Sequence, residues 1–278
     1  MSLRVKSIAT GSSGNVILVQ AGETSLLVDC GLPTRNIESY LRRVALDPAS
    51  LSAILLTHEH TDHIQSAGVM ARRYNVPIVA NQRTLDEGKD ALGGAAPSLV
   101  LATGSCRTVG EIEVASFPIP HDAVDPVGYL LSYRNWYVCV ILDAGKPAYE
   151  MRPPLRLADL AIIEANHDRE RLLAGPYTRI LKARILSEAG HLSNVEAAQL
   201  LAETTNGRHK WAWLAHLSEV NNTPRIAMRT VRHYLRHEGV TTIELAIARR
   251  DRPSVHWDSD SAAWQEPLLT AEIAERRL

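Results

Sequence analysis

Four side chains able to ligate a metal ion fall within six residues, in Thr57-His58-Glu59-His60-Thr61-Asp62-His63. Imidazole nitrogens and carboxylate oxygens are the donors that Zn²⁺ and similar divalent ions accept. The apolar run Ala53-Ile54-Leu55-Leu56 before them reads as a buried strand, and Ile64, Ala67, Gly68, Ala71 and Tyr74 after them recur at helical spacing. The donors therefore occupy the loop between a strand end and a helix start. A tight loop can turn all four toward one point, which a regular strand or helix of that length cannot. The competing reading is a polar loop with satisfied surface histidines.

Similar sites of polarity recur along the chain. Leu3 to Ala9, Asn15 to Ala21 and Ser25 to Val28 read as strands joined by Gly11-Ser12-Ser13-Gly14 and Ala21-Gly22-Glu23-Thr24, with Asp29-Cys30-Gly31 closing the third. Thr34 N-caps a helix to about Val44, and Asn81 caps another to about Leu92, ahead of the breaker Gly93-Gly94-Ala95-Ala96-Pro97. Strands follow over Ile112–Ile119, Val127–Tyr133, Trp136–Leu142, Leu160–Glu164, Trp211–Ala215 and Thr242–Ala248, with helices from Asn194 to Glu203 and from Pro224 to Glu238. Asp29, His58, His121, Asp143 and His216 all stand at strand ends, and side chains at neighbouring strand ends converge on one edge of a sheet.

The His-x-His-x-Asp-His loop resembles that of the metallo-β-lactamase-fold hydrolases. The resemblance implies an α/β fold, a four-layer αββα sandwich of mixed sheets with the active site at the sheet edge. It implies two divalent ions, Zn or Mn. His58, His60 and His121 would hold one, and Asp62, His63 and His216 the other, with Asp143 bridging them. Asp62 is expected to serve in catalysis as well as ligation, and Asp29 to be structural. Two cations sharing a carboxylate lower the pKa of a water between them, so a hydroxide is the expected nucleophile and no Ser–His or Cys–His pair is needed.

The 278 residues suffice for one large domain or two small ones. With no obvious linker, we expect one domain over 1–252 and a peripheral tail over 253–278. Three scattered cysteines and the lack of a signal-like or membrane-length apolar run fit a cytoplasmic protein. A net charge of −1 gives no global field to recruit nucleic acid. Locally, Lys146 to Arg252 carries 17 Lys/Arg against 12 Asp/Glu. That excess reads as a solvated helix face or as a rim attracting phosphates.

Metal chemistry alone admits lactams, thioesters, lactones or phosphodiesters. The segments Gly11-Ser12-Ser13-Gly14-Asn15, Ser116 to Tyr129, Glu164 to Asp168, Gly190-His191-Leu192-Ser193-Asn194 and His216 to Asn222 resemble the YycJ-like (WalJ) branch. Members of that branch are regarded as metal-dependent 5′→3′ DNA exonucleases. The implied partner is single-stranded or end-bearing DNA. His, Ser and Asn donors at a helix start favour a phosphate, so Asn15, Ser193, Asn194, Ser218 and Asn222 are candidate substrate contacts. His191 is a candidate general acid outside the metal shell. The alternatives are a thioester or lactone hydrolase of the same fold, which would want an apolar pocket, and a binding module without catalysis.

Overall fold

The computed structural model describes residues 2–94 and 96–261. They form two seven-stranded sheets. The first takes β1 (Leu3–Ala9), β2 (Val16–Ala21), β3 (Thr24–Val28), β4 (Ala53–Leu55), β5 (Ile78–Ala80) and β6 (Ser98–Val100) side by side in chain order, with β14 (His256–Asp258) outside β1. The second takes β7 (Cys106–Val109), β8 (Ile112–Pro118), β9 (Val127–Tyr133), β10 (Trp136–Ile141), β11 (Leu160–Glu164), β12 (Lys210–Ala215) and β13 (Ile243–Ile247), again in chain order. In each sheet an antiparallel meander passes into parallel pairing, at β3–β4 in the first and at β10–β11 in the second.

The apolar runs explain the layering. Every residue of β3, β11 and β12 is buried, as expected of strands covered on both faces. One core lies between the sheets and includes Leu3, Val19, Val114, Tyr129, Trp211 and Trp213. Two more lie outside them. Ile37, Leu41 and Met70 from the helices Thr34–Arg43 and Ala67–Tyr74 pack on the first sheet. Leu200, Val231 and Leu235 from the helices Asn194–Glu203 and Pro224–His237 pack on the second. The result is the expected four-layer αββα sandwich.

Some boundaries differ from those read in the sequence. The helix expected from Asn81 to Leu92 divides at Gly88 into Gln82–Glu87 and Lys89–Leu92. A Cβ at Gly88 would come within 2.5 Å of Ile64 Cδ1, so the break lets this turn lie against the metal loop. β6, β7 and β14 were not anticipated; they are short, and β6 is exposed throughout. Within the expected tail, Trp257 is buried and β14 pairs with β1. The rest of that tail, residues 262–278, lies outside the described residues. Among the described residues no helix is long and apolar enough to cross a membrane.

Lys210, at the start of the strand that ends at His216, is buried, its Nζ donating to the carbonyls of Leu155 at 2.5 Å and Thr204 at 3.4 Å. Burial pulls its ammonium down from 10.5 to about 8. Between those values the unfolded chain holds a proton that the folded chain has given up, so stability rises with pH through this window. We expect wild type to gain about 3 kcal/mol on Lys210→Met between pH 8 and pH 10.5. Urea unfolding at the two pH values measures this, and an unchanged difference counts against a neutral buried amine.

Candidate metal centre

The strands deliver the candidate ligands to one edge, and the backbone there is unusual. Asp29, Asp143 and His216 have φ of 60°, 53° and 51°. This left-handed conformation is uncommon outside glycine, although Asp and His tolerate it better than most residues. In each case the chain turns sharply at the end of β3, β10 or β12. Next to Asp29, Gly31 approaches the metal loop so closely that a Cβ would fall 1.7 Å from the carbonyl oxygen of Asp62. Gly31→Ala is expected to displace Asp62 and weaken cation binding at its site, as measured by metal titration. Unchanged affinity would mean that the loop yields freely.

Two groups of donor atoms result, each gathered within 4.8 Å: His58, His60 and His121, and Asp62, His63, Asp143 and His216. Asp143 lies between them. Its Oδ2 is 2.7 Å from His63 Nε2 and 3.5 Å from His58 Nε2, while its Oδ1 is 2.6 Å from His216 Nδ1. His216 Nε2 lies 3.5 Å from Asp62 Oδ2, and His121 Nε2 lies 3.3 Å from His60 Nδ1.

Further carboxylates and carbonyls orient these rings. Asp29 accepts hydrogen bonds from the Thr57 N–H at 2.9 Å and the Thr57 hydroxyl at 3.0 Å, and its Oδ2 is 2.7 Å from His63 Nδ1. His121 Nδ1 lies 3.0 Å from the carbonyl of Gly190. Glu164, fully buried at the end of β11, accepts from the N–H groups of Ala144 and Leu192 through Oε2. Its Oε1 lies 2.9 Å from His216 Nδ1 and 2.8 Å from His191 Nδ1.

Charge balance in the cup follows from this geometry. Burial disfavours the imidazolium of His63, but the carboxylates of Asp29 and Asp143 outweigh it and hold that ring well above the usual range. Burial likewise opposes protonation of His216, and Asp143 with Asp62 and Glu164 reverses the effect. His58 and His121 are pushed down, chiefly by burial. Burial acts to raise the Asp143 carboxyl, yet His216 and His63 hold it well below the ordinary carboxylate range. For His191, Glu164 and Asp143 overcome burial and raise the ring to about 10.

The donors fit a metal centre. Nε2 of His58 and Nε2 of His216 are buried without a hydrogen-bond partner among the described residues. Such groups carry a desolvation cost that ligation would relieve. A buried imidazole held at Nδ1 by a carboxylate or carbonyl, with Nε2 directed into a cluster, is the usual arrangement around a metal-binding histidine.

Comparison with known proteins accords with this geometry. The Metallo-beta-lactamase superfamily model matches residues 9–156, more than half of the chain. The chain belongs to the metallo-β-lactamase superfamily. The matched stretch contains six of the seven candidate superfamily ligands, while His216 lies beyond it, as do Glu164 and His191. The chain is 36% identical over 241 residues to the exodeoxyribonuclease YycJ of Bacillus anthracis, covering 86% of this chain and 91% of that protein. It is 39% identical over 228 residues to the exodeoxyribonuclease WalJ of Streptococcus pneumoniae, covering 81% and 85% respectively. The fold is similar to that of the metallo-β-lactamase fold protein YhfI from Bacillus subtilis, with a TM-score of 0.70 at 20% identity over 93% of this chain and 100% of the other. Human tRNase Z, short form, shares the fold with a TM-score of 0.58 at 16% identity over 78% of this chain and 93% of the other.

The candidate substrate residues are less uniform. Asn15 is buried, and its Nδ2 is 3.3 Å from Asp62 Oδ2 and 3.0 Å from His63 Nε2. Ser193 caps the helix Asn194–Glu203 in a reciprocal arrangement with Glu196. Asn194 and Asn222 are buried and bonded to each other, and Asn222 also donates to the carbonyls of Ala165 and Asn166. Ser193, Asn194 and Asn222 make these bonds within the protein, stapling loops, whereas Asn15 lies against two candidate metal ligands with its Oδ1 unpartnered among the described residues. Ser218 lines the cleft with Ser12, Asn166, Arg184 and His191. His191, expected apart from the metal ligands, lies 3.4 Å from Asp143 and forms a third donor group with Asp143, Glu164 and His216.

Glu164 was not assigned a role from the sequence. The available signal was a carboxylate closing an otherwise apolar strand, Leu160-Ala161-Ile162-Ile163, a position costly to bury unless the charge is used. Glu164→Gln retains the shape and loses the charge behind His216 and His191. We expect cation affinity or turnover to fall about 10–100-fold, read by chelator competition and initial rates. Wild-type values in both would remove Glu164 from the site.

Proposed function

We propose that the chain is a two-metal phosphodiesterase that removes nucleotides from a DNA end, working 5′→3′. The observation that carries this reading is the seven-donor cup, with Asp143 between two ligand groups, in a chain resembling two exodeoxyribonucleases over more than four-fifths of each length. A cleft lined largely by hydroxyl, amide, guanidinium and imidazole groups favours a phosphate over the apolar pocket wanted by a thioester or lactone. The three cysteines are unpaired, which supports a reducing cytoplasm.

His58, His60 and His121 would hold one cation, Asp62, His63 and His216 the second, and Asp143 both. Two such ions supply Lewis acidity and an activated water. The remaining work falls to the chain itself. Asp29 and Glu164 fix the imidazoles on which the geometry depends. Asp62 is both a ligand and part of the catalytic group. Glu164 holds His191 by Nδ1, leaving Nε2 to meet the scissile phosphate and deliver a proton to the departing oxygen. Arg184, at the cleft wall, is paired with Asp122 at 2.5 Å, which orients its guanidinium.

Single strands labelled at either end and incubated with Mn²⁺ test the reading. Mononucleotides or short products should appear first from a 5′ label, and chelator should abolish them. Intact DNA alongside turnover of a thioester or lactone would overturn it, whereas release first from a 3′ label would reverse the polarity alone.

A further inference from the structure

The helix Pro224–His237 buries Ala227, Val231 and Leu235. Its other side carries Arg225, Arg229, Arg232 and Arg236, all exposed. The helix contains no acidic residue, and among the described residues none of these arginines has an ion-pair partner. The spacing is i, i+4, i+7 and i+11, so consecutive arginines stand one turn apart with like charges adjacent. Such pairs destabilise an isolated helix, and a surface serving solubility alone normally intersperses acids. The chain has acids in plenty, with 31 Asp/Glu against 30 Lys/Arg, yet places none on this helix, and Glu244, which shares a cavity wall with Arg232 and Arg236, pairs with His209 at 3.1 Å instead.

The stripe also begins one residue beyond a cavity that adjoins the cleft. Ser218 lines the cleft beside His191 and also a second cavity whose wall includes Thr223, Arg249, Arg250, Asp251 and Arg252, with Arg250 paired to Glu219 at 3.2 Å. That cavity reaches Pro224, the first residue of the helix. Asn222 pins this end of the helix to the site by donating to the carbonyls of Ala165 and Asn166. On the helix itself a groove is lined by Arg225, Arg229, Arg232 and Arg236, with Met228 and His233. The stripe spans about 16 Å, roughly the rise of five nucleotides of one strand.

We propose that this arginine stripe binds the phosphate backbone of the DNA strand whose end occupies the cleft. The inference rests on the exodeoxyribonuclease reading above and adds to it a path for the undigested part of the strand. It explains cations held in a row without counter-charges in a protein whose net charge is near neutral. The chemistry is that of phosphate contact without base readout, so the stripe would act on strands of any sequence.

The test compares the Mn²⁺-loaded full chain with Arg225→Gln/Arg229→Gln/Arg232→Gln/Arg236→Gln on oligothymidylates of 5 and 25 nucleotides and on bis(p-nitrophenyl) phosphate. For the longer strand KM should rise at least about 10-fold, and the slope of log KM against log salt should flatten by about 3. The 5-mer and the small ester should be turned over as by wild type, and the corresponding four Arg→Lys changes should restore most of the affinity. Unchanged KM and salt slope on the 25-mer, with wild type active on DNA, would overturn the stripe and leave the exonuclease reading standing. An equal loss on the small ester would reveal damage to the site and also count against the stripe. Wild type that neither binds nor digests DNA would remove both.

Discussion

Asp143→Ala should empty both cation sites at once. Among the described residues no other carboxylate lies within 4.0 Å of His58, His63, His121 and His216 together, so one truncation withdraws the negative charge common to the two groups. Metal analysis after reconstitution should fall from two ions per chain toward none, and turnover of any phosphodiester should drop on the order of 10³–10⁴-fold. The metal-free protein should suffer as well. His63 and His216 are fully or nearly fully buried and rely on Asp143 for balance. Breaking such a buried pair from one side costs about 3–5 kcal/mol. Asp143→Asn, which preserves volume, separates lost charge from lost packing. A variant that still binds two ions would show that Asp143 is not shared.

His191→Ala should leave two ions in place and lose turnover on DNA by about 10²–10⁴-fold. Glu164 fixes Nδ1 at 2.8 Å, and Nε2 has no protein hydrogen bond among the described residues. The ring therefore reaches the cleft already oriented. DNA releases a poor leaving group that gains from a proton, whereas p-nitrophenolate departs with little help. Bis(p-nitrophenyl) phosphate hydrolysis should consequently fall far less. Equal losses on both substrates would reduce His191 to a phosphate contact. Because His191 also stands in a donor group with Asp143, Glu164 and His216, loss of one ion would make it a ligand instead.

Much of the centre was legible because its chemistry coincides with abrupt changes in hydrophobicity. His58, His121, Asp143 and His216 each follow an apolar run, and a polar side chain there has few places to go except the sheet edge. The same runs marked most of the strands, while their order in the two sheets was not read from the sequence. Short edge strands gave no such signal: β6 has three exposed residues and β14 only one buried residue of three. The amides were ambiguous for a different reason. Asn194 and Asn222 present the same donors whether they face a substrate or each other, and only the fold decides between a free donor and one already used. The positive φ of Asp143 and His216 leaves no mark on residue type, since both would be written as ligands in any conformation.

The division of the candidate ligands between the sheets bears on how the molecule holds together. His58 and His60 come from the loop after β4, Asp62 and His63 not from that loop as expected but from the helical turn Thr61–Ile64 that follows it, and His121, Asp143 and His216 from just beyond the ends of β8, β10 and β12. Each sheet is built almost wholly from strands adjacent in the chain, so each half has the connectivity of a unit that can open and close by itself. A cation gripped from both sides binds only when the halves are docked. Its binding free energy is thereby added to the cohesion between them and scales with the logarithm of free ion concentration. Metal availability would set the tightness of the seam through the middle of the protein as well as the competence of its cleft.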